Sequence, residues 1–80
     1  MIDVTTSKPL RVLNEGTAGP YIWVPVSQLD EVRRLLEDRG IRHRVQEDVI
    51  SWNGGPEIAT IDFGRGADPD AVQAVLDTVP

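Results

Sequence analysis

The stretch that most constrains the fold is 21–40, where a short alternating strand runs directly into an amphipathic helix. Because side chains alternate along a strand, its aliphatic residues are predicted to share one side. These residues are Ile22, Val24 and Val26. The opposite side carries Tyr21 and Trp23, two large aromatics for which the sequence provides no obvious cover. The stretch therefore predicts a small domain that contains both a sheet and helices.

The helix is predicted over 27–39. Ser27 is expected to cap its first turn, with Asp30 in the capping-box position three residues later. Asp30 is also spaced to pair with Arg34, and Gly40 is a natural left-handed terminator. The residues of the buried stripe recur at helical spacing, and they are Leu29, Val32, Leu35 and Leu36.

The rest of the chain predicts further strands and a second helix. A short strand is expected over 10–13 and a turn over 14–20. Further strands are expected over 41–46, 49–52 and 57–63. Glu47 and Asp48 predict a turn or a bulge, so the side of the sheet on which Trp52 lies is left open. Asn53-Gly54 predicts a hairpin between the strands on either side of it. The second helix is expected to begin at Asp68, with Pro69 in its first turn. Its predicted stripe is Ala71, Val72, Val75, Leu76 and Val79.

This order of elements predicts an α+β fold, with an antiparallel-rich sheet of four to five strands and two helices on one face. Residues 1–8 are expected to be a loose terminus and 9–80 a single domain. The order resembles that of ferredoxin-like domains, with the strand at 10–13 in place of the usual last one. It is also similar to small ligand-binding domains of the ACT type. The glycine-bearing junction of those domains is replaced here by Pro25-Val26-Ser27, so no binding residue is carried over.

Composition excludes several kinds of site. The 80 residues include no cysteine and one histidine, which rules out disulfides and thiolate metal sites. His43 is predicted to be a structural histidine bonded to the backbone, and Gly64-Arg65-Gly66 a structural loop rather than a phosphate site. We therefore predict no catalytic residue, metal or cofactor. Without a signal segment or a long apolar run, a cytoplasmic protein is expected, and the excess of arginine over lysine suggests a GC-rich, bacterial genome.

A candidate surface follows from the alternation of the strands. Aromatic and arginine side chains on a solvent-facing sheet are typical of protein interfaces. The residues predicted on this surface are Tyr21, Trp23, Arg42, Arg44, Thr60 and Asp62. The functional prediction is a small, acidic, non-enzymatic module that binds another protein or a second copy through this surface. It would serve as an adaptor, or as a regulator that neutralises a basic partner.

Two alternatives remain at this stage. The first is an ACT-like domain that senses a small molecule at a homodimer interface. The second is stacking of nucleic-acid bases on the sheet, which the net charge of −5 disfavours. A strand at 10–13 also predicts either a docking edge for a partner strand or, as we favour, a segment that completes the sheet and protects its edge.

Overall fold

The computed structural model describes residues 1–14, 19–51 and 53–79. It is an α+β fold built from a three-stranded antiparallel sheet and two helices. The strands are β1 (Tyr21–Pro25), β2 (Arg44–Ile50) and β3 (Ile58–Asp62). The helices are α1 (Leu29–Asp38) and α2 (Pro69–Asp77), and a 3-10 turn (Val26–Gln28) precedes α1. Residues 15–18 of the turn predicted over 14–20, and the side taken by Trp52, lie outside the described residues.

The sheet has the strand order β1-β3-β2, with β3 antiparallel to both neighbours. The prediction of four to five strands is therefore wrong. The two strands expected at 41–46 and 49–52 are a single strand, β2, whose register shifts between Val45 and Val49. Such a shift is a bulge, which keeps one strand paired to its neighbour despite the extra residues.

The segment 10–13 adds an isolated bridge to the sheet instead of a strand. Leu13 exchanges two backbone hydrogen bonds of 2.8 Å with Tyr21 at the edge of β1. Upstream of Leu13, the backbone is held by α2: the Val12 N–H donates to Gln73 Oε1 at 2.8 Å, and Gln73 Nε2 donates to the Leu10 carbonyl at 3.1 Å. The Gln73 side chain thus bonds to backbone groups of 10–12. The segment protects the edge of β1 only at Tyr21.

One hydrophobic cluster joins the sheet to both helices. The inner face of the sheet contributes Ile22, Val24 and Ile61, all fully buried. Each helix contributes two buried residues, and those are Val32 and Leu36 of α1 and Val72 and Leu76 of α2. Both predicted stripes are confirmed at these positions, and Phe63 joins the same cluster, as the alternation of the last strand predicts.

The junction between β1 and α1 differs from the prediction. Val26 was expected to extend the apolar side of β1, but it lies in the 3-10 turn with 41% of its surface exposed. Ser27 makes no capping bond; Gln28 is the N-cap of α1, and no side chain caps this helix start. The Gln28 side chain is instead buried, accepting from the Val4 N–H at 2.8 Å and donating to the Ile2 carbonyl at 2.7 Å.

The end of α1 forms as the sequence predicts. The Ile41 N–H donates to the Leu36 carbonyl at 2.9 Å, and the Gly40 N–H donates to the Glu37 carbonyl at 3.1 Å. This pair of bonds is a Schellman motif, with Gly40 at a φ of 68°. The predicted Asp30–Arg34 pair is wrong: within the described residues, the ion pair on this helix joins Arg33 to Glu37 at 3.9 Å.

One other predicted turn and the predicted cap of α2 are confirmed. Asn53 and Gly54 have φ values of 52° and 72°, as expected for an Asn-Gly turn between the antiparallel β2 and β3. The Asp68 carboxylate caps α2 by accepting from the Asp70 and Ala71 N–H groups at 3.0 and 3.3 Å. Pro69 occupies the first turn, where a missing N–H leaves no bond unmade.

The first ten residues are hydrogen-bonded to one another and to the helices. The Leu10 N–H donates to the Met1 carbonyl at 2.8 Å, and the Asp3 N–H donates to the Lys8 carbonyl at 2.9 Å. Met1 is buried in the core cluster, and its nitrogen donates to the Leu76 carbonyl at the end of α2. Together with Gln28, these bonds connect the segment to α1 and α2. None of the helices in the described residues has the length and apolar character needed to cross a membrane.

Candidate functional site

The sheet side away from the helices, here called the outer face, is defined by strand register. Tyr21 of β1 and Arg44 of β2 are both partners of Asp62 on the central strand, so the three form one row across the sheet. Trp23 is opposite Thr60 in the next row. The remaining outer-face positions are Pro25, Ile50 and Ile58. Five of the six residues predicted for the candidate surface therefore lie on this face.

An aromatic pair lies at the β1 edge of the outer face. The rings of Tyr21 and Trp23 are 5.9 Å apart between centroids and inclined at 56°, a tilted contact of the kind favoured by aromatic side chains. Trp23 remains 39% exposed, while Tyr21 is half-buried. The exposed part of the Trp23 side chain is aromatic surface of the kind found at interaction sites.

Thr60 lies on the outer face but is only 8% exposed. It belongs to the central strand, where neighbours flank it on both sides, and the adjacent Ile58 is similarly buried at 9%. The buried Thr60 side chain offers little surface to a partner. Position in the middle of the sheet, which alternation along the chain does not reveal, explains the difference from Trp23.

Arg42 and Arg44 come together next to the loop that precedes α2. Arg42 lies just before β2, not in the sheet, and both side chains are exposed. Neither guanidinium forms an ion pair with a carboxylate in the described part of the chain. Both line a groove of about 730 Å³ formed by residues 41–44, 62–64, 66–68 and 71–72, called here the α2 groove.

His43 also lines the α2 groove, and one of its nitrogens is occupied. Nδ1 lies 2.9 Å from the Ile41 carbonyl, which can only accept, so Nδ1 carries the proton in this contact. The half-buried histidine bonded to the backbone was predicted and is confirmed. Its tautomer leaves Nε2 with a lone pair when the ring is neutral.

Two N–H groups of the loop before α2 are bonded within the loop. The Gly64 N–H donates to Asp62 Oδ1 at 3.0 Å, and the Ala67 N–H donates to the Gly64 carbonyl at 3.2 Å. Asp68 occupies the N-terminus of α2 as its cap. These bonds agree with the structural loop predicted for 64–66, because the groups that would hold a phosphate at the helix start already have partners.

Sequence reasoning missed the α2 groove. Its arginines were assigned to the sheet, and Ala71 was placed in the buried stripe of α2, whereas Ala71 is exposed and lines the groove. The signal that would have found it is the pairing of Arg44 with Asp62, since this brings 41–44 beside the loop that follows β3. Within the described residues, no three His, Asp or Glu side chains are grouped as metal ligands would be.

Comparisons with known proteins add no relative to this picture. No protein-family model matches the chain, and no curated protein or solved structure is detectably similar to it.

Proposed function

We propose that this protein is a non-enzymatic interaction module that binds protein surfaces through its outer face. The observation that carries the proposal is the tilted Tyr21–Trp23 pair on a sheet face that no described helix covers. Tyrosine and tryptophan are enriched among residues that dominate binding energy, because they bury a large area with few rotatable bonds. Arg44, in the same row as Tyr21, is of the third residue type enriched at such centres.

The occupant that the charges favour is a second copy of this chain. Arg44 and Asp62 are neighbours with opposite charges on one row of the outer face. In a two-fold interface each patch meets itself, so Arg44 of one copy can pair with Asp62 of the other, and the reverse. The contact would also bury both aromatic pairs. A self-complementary row of this kind needs no net charge difference between the partners, which suits an acidic protein.

A ferredoxin-like relationship is part of this proposal. The order β1-α1-β2-β3-α2, with β3 between β1 and β2, corresponds to that motif without its last strand. The bridge between Leu13 and Tyr21 lies at the free edge of β1, where the N-terminal segment was expected to replace that strand. Small domains of this size have little core, and association of two sheets would add buried area.

The test is molar mass by light scattering over a range of protein concentrations. We expect a dimer whose dissociation constant rises at least about 30-fold in Trp23→Ala, as the loss of an interfacial hot spot predicts. Arg44→Asp should weaken the dimer, and Arg44→Asp combined with Asp62→Arg should restore it, because the exchanged charges again face each other. Arg34→Asp on the exposed side of α1 changes the same charge away from the outer face and should leave the dimer intact.

A monomer at every concentration would contradict self-association. The partner expected of this face would then be a different chain that carries acidic and apolar groups. Restoration of the dimer by the double charge exchange, but not by either single change, is the result that a general loss of stability cannot imitate.

A further inference from the structure

We propose that the α2 groove binds a small organic anion with an apolar body. The groove is separate from the aromatic pair and goes beyond the interaction proposed for the outer face. Its volume of about 730 Å³ falls in the range of natural small-molecule sites. Such sites combine an apolar lining with a few polar groups that orient the ligand, and the α2 groove has both.

The charge expected of the ligand follows from which charged side chains of the groove already have hydrogen-bond partners. Asp62 accepts from the Gly64 N–H, and Asp68 accepts from two N–H groups at the start of α2, so both carboxylates are engaged by the protein. Arg42 and Arg44 have no carboxylate partner in the described residues. Each carboxylate keeps its negative charge but is bonded to backbone N–H groups through Oδ1, whereas the two guanidinium groups have no hydrogen-bond acceptor among the described residues. The donors that the groove can offer to a ligand therefore come from Arg42 and Arg44, although the whole chain has a net charge of −5.

Arginine selects for the head group. A guanidinium presents several N–H donors in a plane and matches the two oxygens of a carboxylate or a phosphate. Arg42 lies just before β2 and Arg44 is its first residue, and both line the same groove, so two guanidinium groups can serve one anionic head group. His43 contributes no donor to the head group in its neutral form, since its Nδ1 proton is bonded to the Ile41 carbonyl and Nε2 carries the lone pair.

The apolar body follows from the remaining lining. The lining includes the apolar side chains of Ile41, Phe63, Ala71 and Val72. Transfer of an alkyl chain from water to such a surface is favourable in proportion to the apolar area removed from water. A ligand with both parts, an alkyl carboxylate or an alkyl phosphate, matches the groove better than an inorganic ion does.

The test is a titration of the full chain, followed by the backbone amide signals of residues 41–44 and 64–72 in NMR spectra. The probes are octanoate and octyl phosphate, with octylamine, acetate and inorganic phosphate as comparisons. We expect octanoate or octyl phosphate to shift these signals saturably, and the head group that binds more tightly identifies the ligand class. Octylamine has the same chain and the opposite charge, and it should bind at least about 10-fold more weakly.

Two matched pairs of variants assign the binding to the groove. Arg42→Gln removes one of the unpaired charges and should raise the dissociation constant about 10-fold or more, as the loss of a charge-assisted hydrogen bond implies. Arg39→Gln, on an exposed residue outside the groove, should not. Ala71→Leu fills the groove and should abolish binding, whereas Ala74→Leu makes the same change on an exposed part of α2 that does not line it.

Three results would overturn the proposal: no saturable shift with either octyl anion, equal affinity for octylamine, or Arg42→Gln and Ala71→Leu variants that fold and bind as the wild type does. Inorganic phosphate binding as tightly as octyl phosphate would overturn the apolar part of the assignment. Arg42 lies outside the Tyr21–Asp62–Arg44 row, so Arg42→Gln should leave the molar mass unchanged. Arg44 belongs to both the row and the groove, so Arg42→Gln and Ala71→Leu are the variants that test the ligand site while the dimer is retained.

Discussion

The molecule contains two strand–helix units that have the same order of elements and differ in the exposure of their outer faces. The first comprises β1 and α1, and the second comprises β3 and α2. Their inner faces are equivalent, since Ile22 of the first unit is paired with Ile61 of the second and both are fully buried. Their outer faces differ in exposure. Trp23 at the edge is 39% exposed, but its cross-strand partner Thr60 is 8% exposed.

The difference shows that place in the sheet governs exposure as much as the alternation of residues does. β3 has a neighbour on each side, so its outward side chains are enclosed by those of β1 and β2. β1 has a full strand on only one side, and Trp23 stays partly exposed there, while Tyr21 is half-buried and Pro25 at the end of the strand is buried. The edge strand consequently carries the candidate surface, while the central strand mainly provides stability.

The largest effect should come from the layer that the two units share. Ile22→Ala and Ile61→Ala each remove a fully buried side chain, and each should lower the free energy of unfolding by about 2–5 kcal/mol. Urea denaturation measures both, and the similar burial predicts similar losses. Val49→Ala is the control, because Val49 has the same inner-face register on β2 but is 46% exposed at the sheet edge. If Val49→Ala costs as much as Ile61→Ala, the loss of stability does not follow burial and the comparison fails.

A second effect is expected where the two units approach each other. A Cβ on Gly19, just before β1, would lie 2.4 Å from the carbonyl oxygen of Gly64 in the loop before α2. Two backbones meet there, so no flexible side chain can give way. Gly19 also has a φ of 91°, which disfavours residues with a Cβ. Gly19→Ala should cost at least about 2 kcal/mol, by adding overpacking to the backbone strain.

Gly54→Ala separates the two causes of that loss. Gly54 also has a positive φ, of 72°, but a Cβ added there meets nothing within 4 Å. The free energies of unfolding of both variants are compared by urea denaturation. Gly54→Ala should show only the backbone strain of about 1–2 kcal/mol. Equal losses in the two variants would mean that the units do not pack closely at Gly19.

The sequence predicted those parts of the fold that depend on neighbours along the chain. The stripes of both helices, the Schellman end at Gly40 and the Asn53-Gly54 turn are set by residues a few positions apart. The number of strands was overestimated because it depends on distant partners. β2 continues through its bulge because β3 pairs with both ends, and 10–13 leaves the sheet because Gln73 of α2 binds its backbone.

The residues of the candidate surface were likewise predictable only where neighbours along the chain determine their position. Alternation placed Tyr21 and Trp23 on one side correctly, since this needs only the local strand. The burial of Thr60 required the strand order, and the grouping of Arg42 with the loop before α2 required the register of β2. Ser27 illustrates the limit at a helix start: a suitable residue is present, but the buried Gln28 side chain bonds to the N-terminal segment at this junction.

The smallest effect should distinguish the two helix starts. Asp68 accepts two hydrogen bonds at the start of α2, whereas Ser27 makes no capping bond at the start of α1. Asp68→Ala should lower the free energy of unfolding by about 0.5–2 kcal/mol, the usual cost of a lost cap, and Ser27→Ala by less than about 0.5 kcal/mol. Urea denaturation of the two variants measures the difference.

Asp68→Asn refines the measurement, since an asparagine side chain still accepts hydrogen bonds at an N-cap but has no charge. It should retain most of the stability that Asp68→Ala loses, with a small remaining deficit from the charge at the positive end of the helix dipole. A loss in Ser27→Ala as large as that in Asp68→Ala would show that Ser27 caps α1 in solution. The two units would then begin their helices in the same way, and the contrast between them would be confined to the sheet.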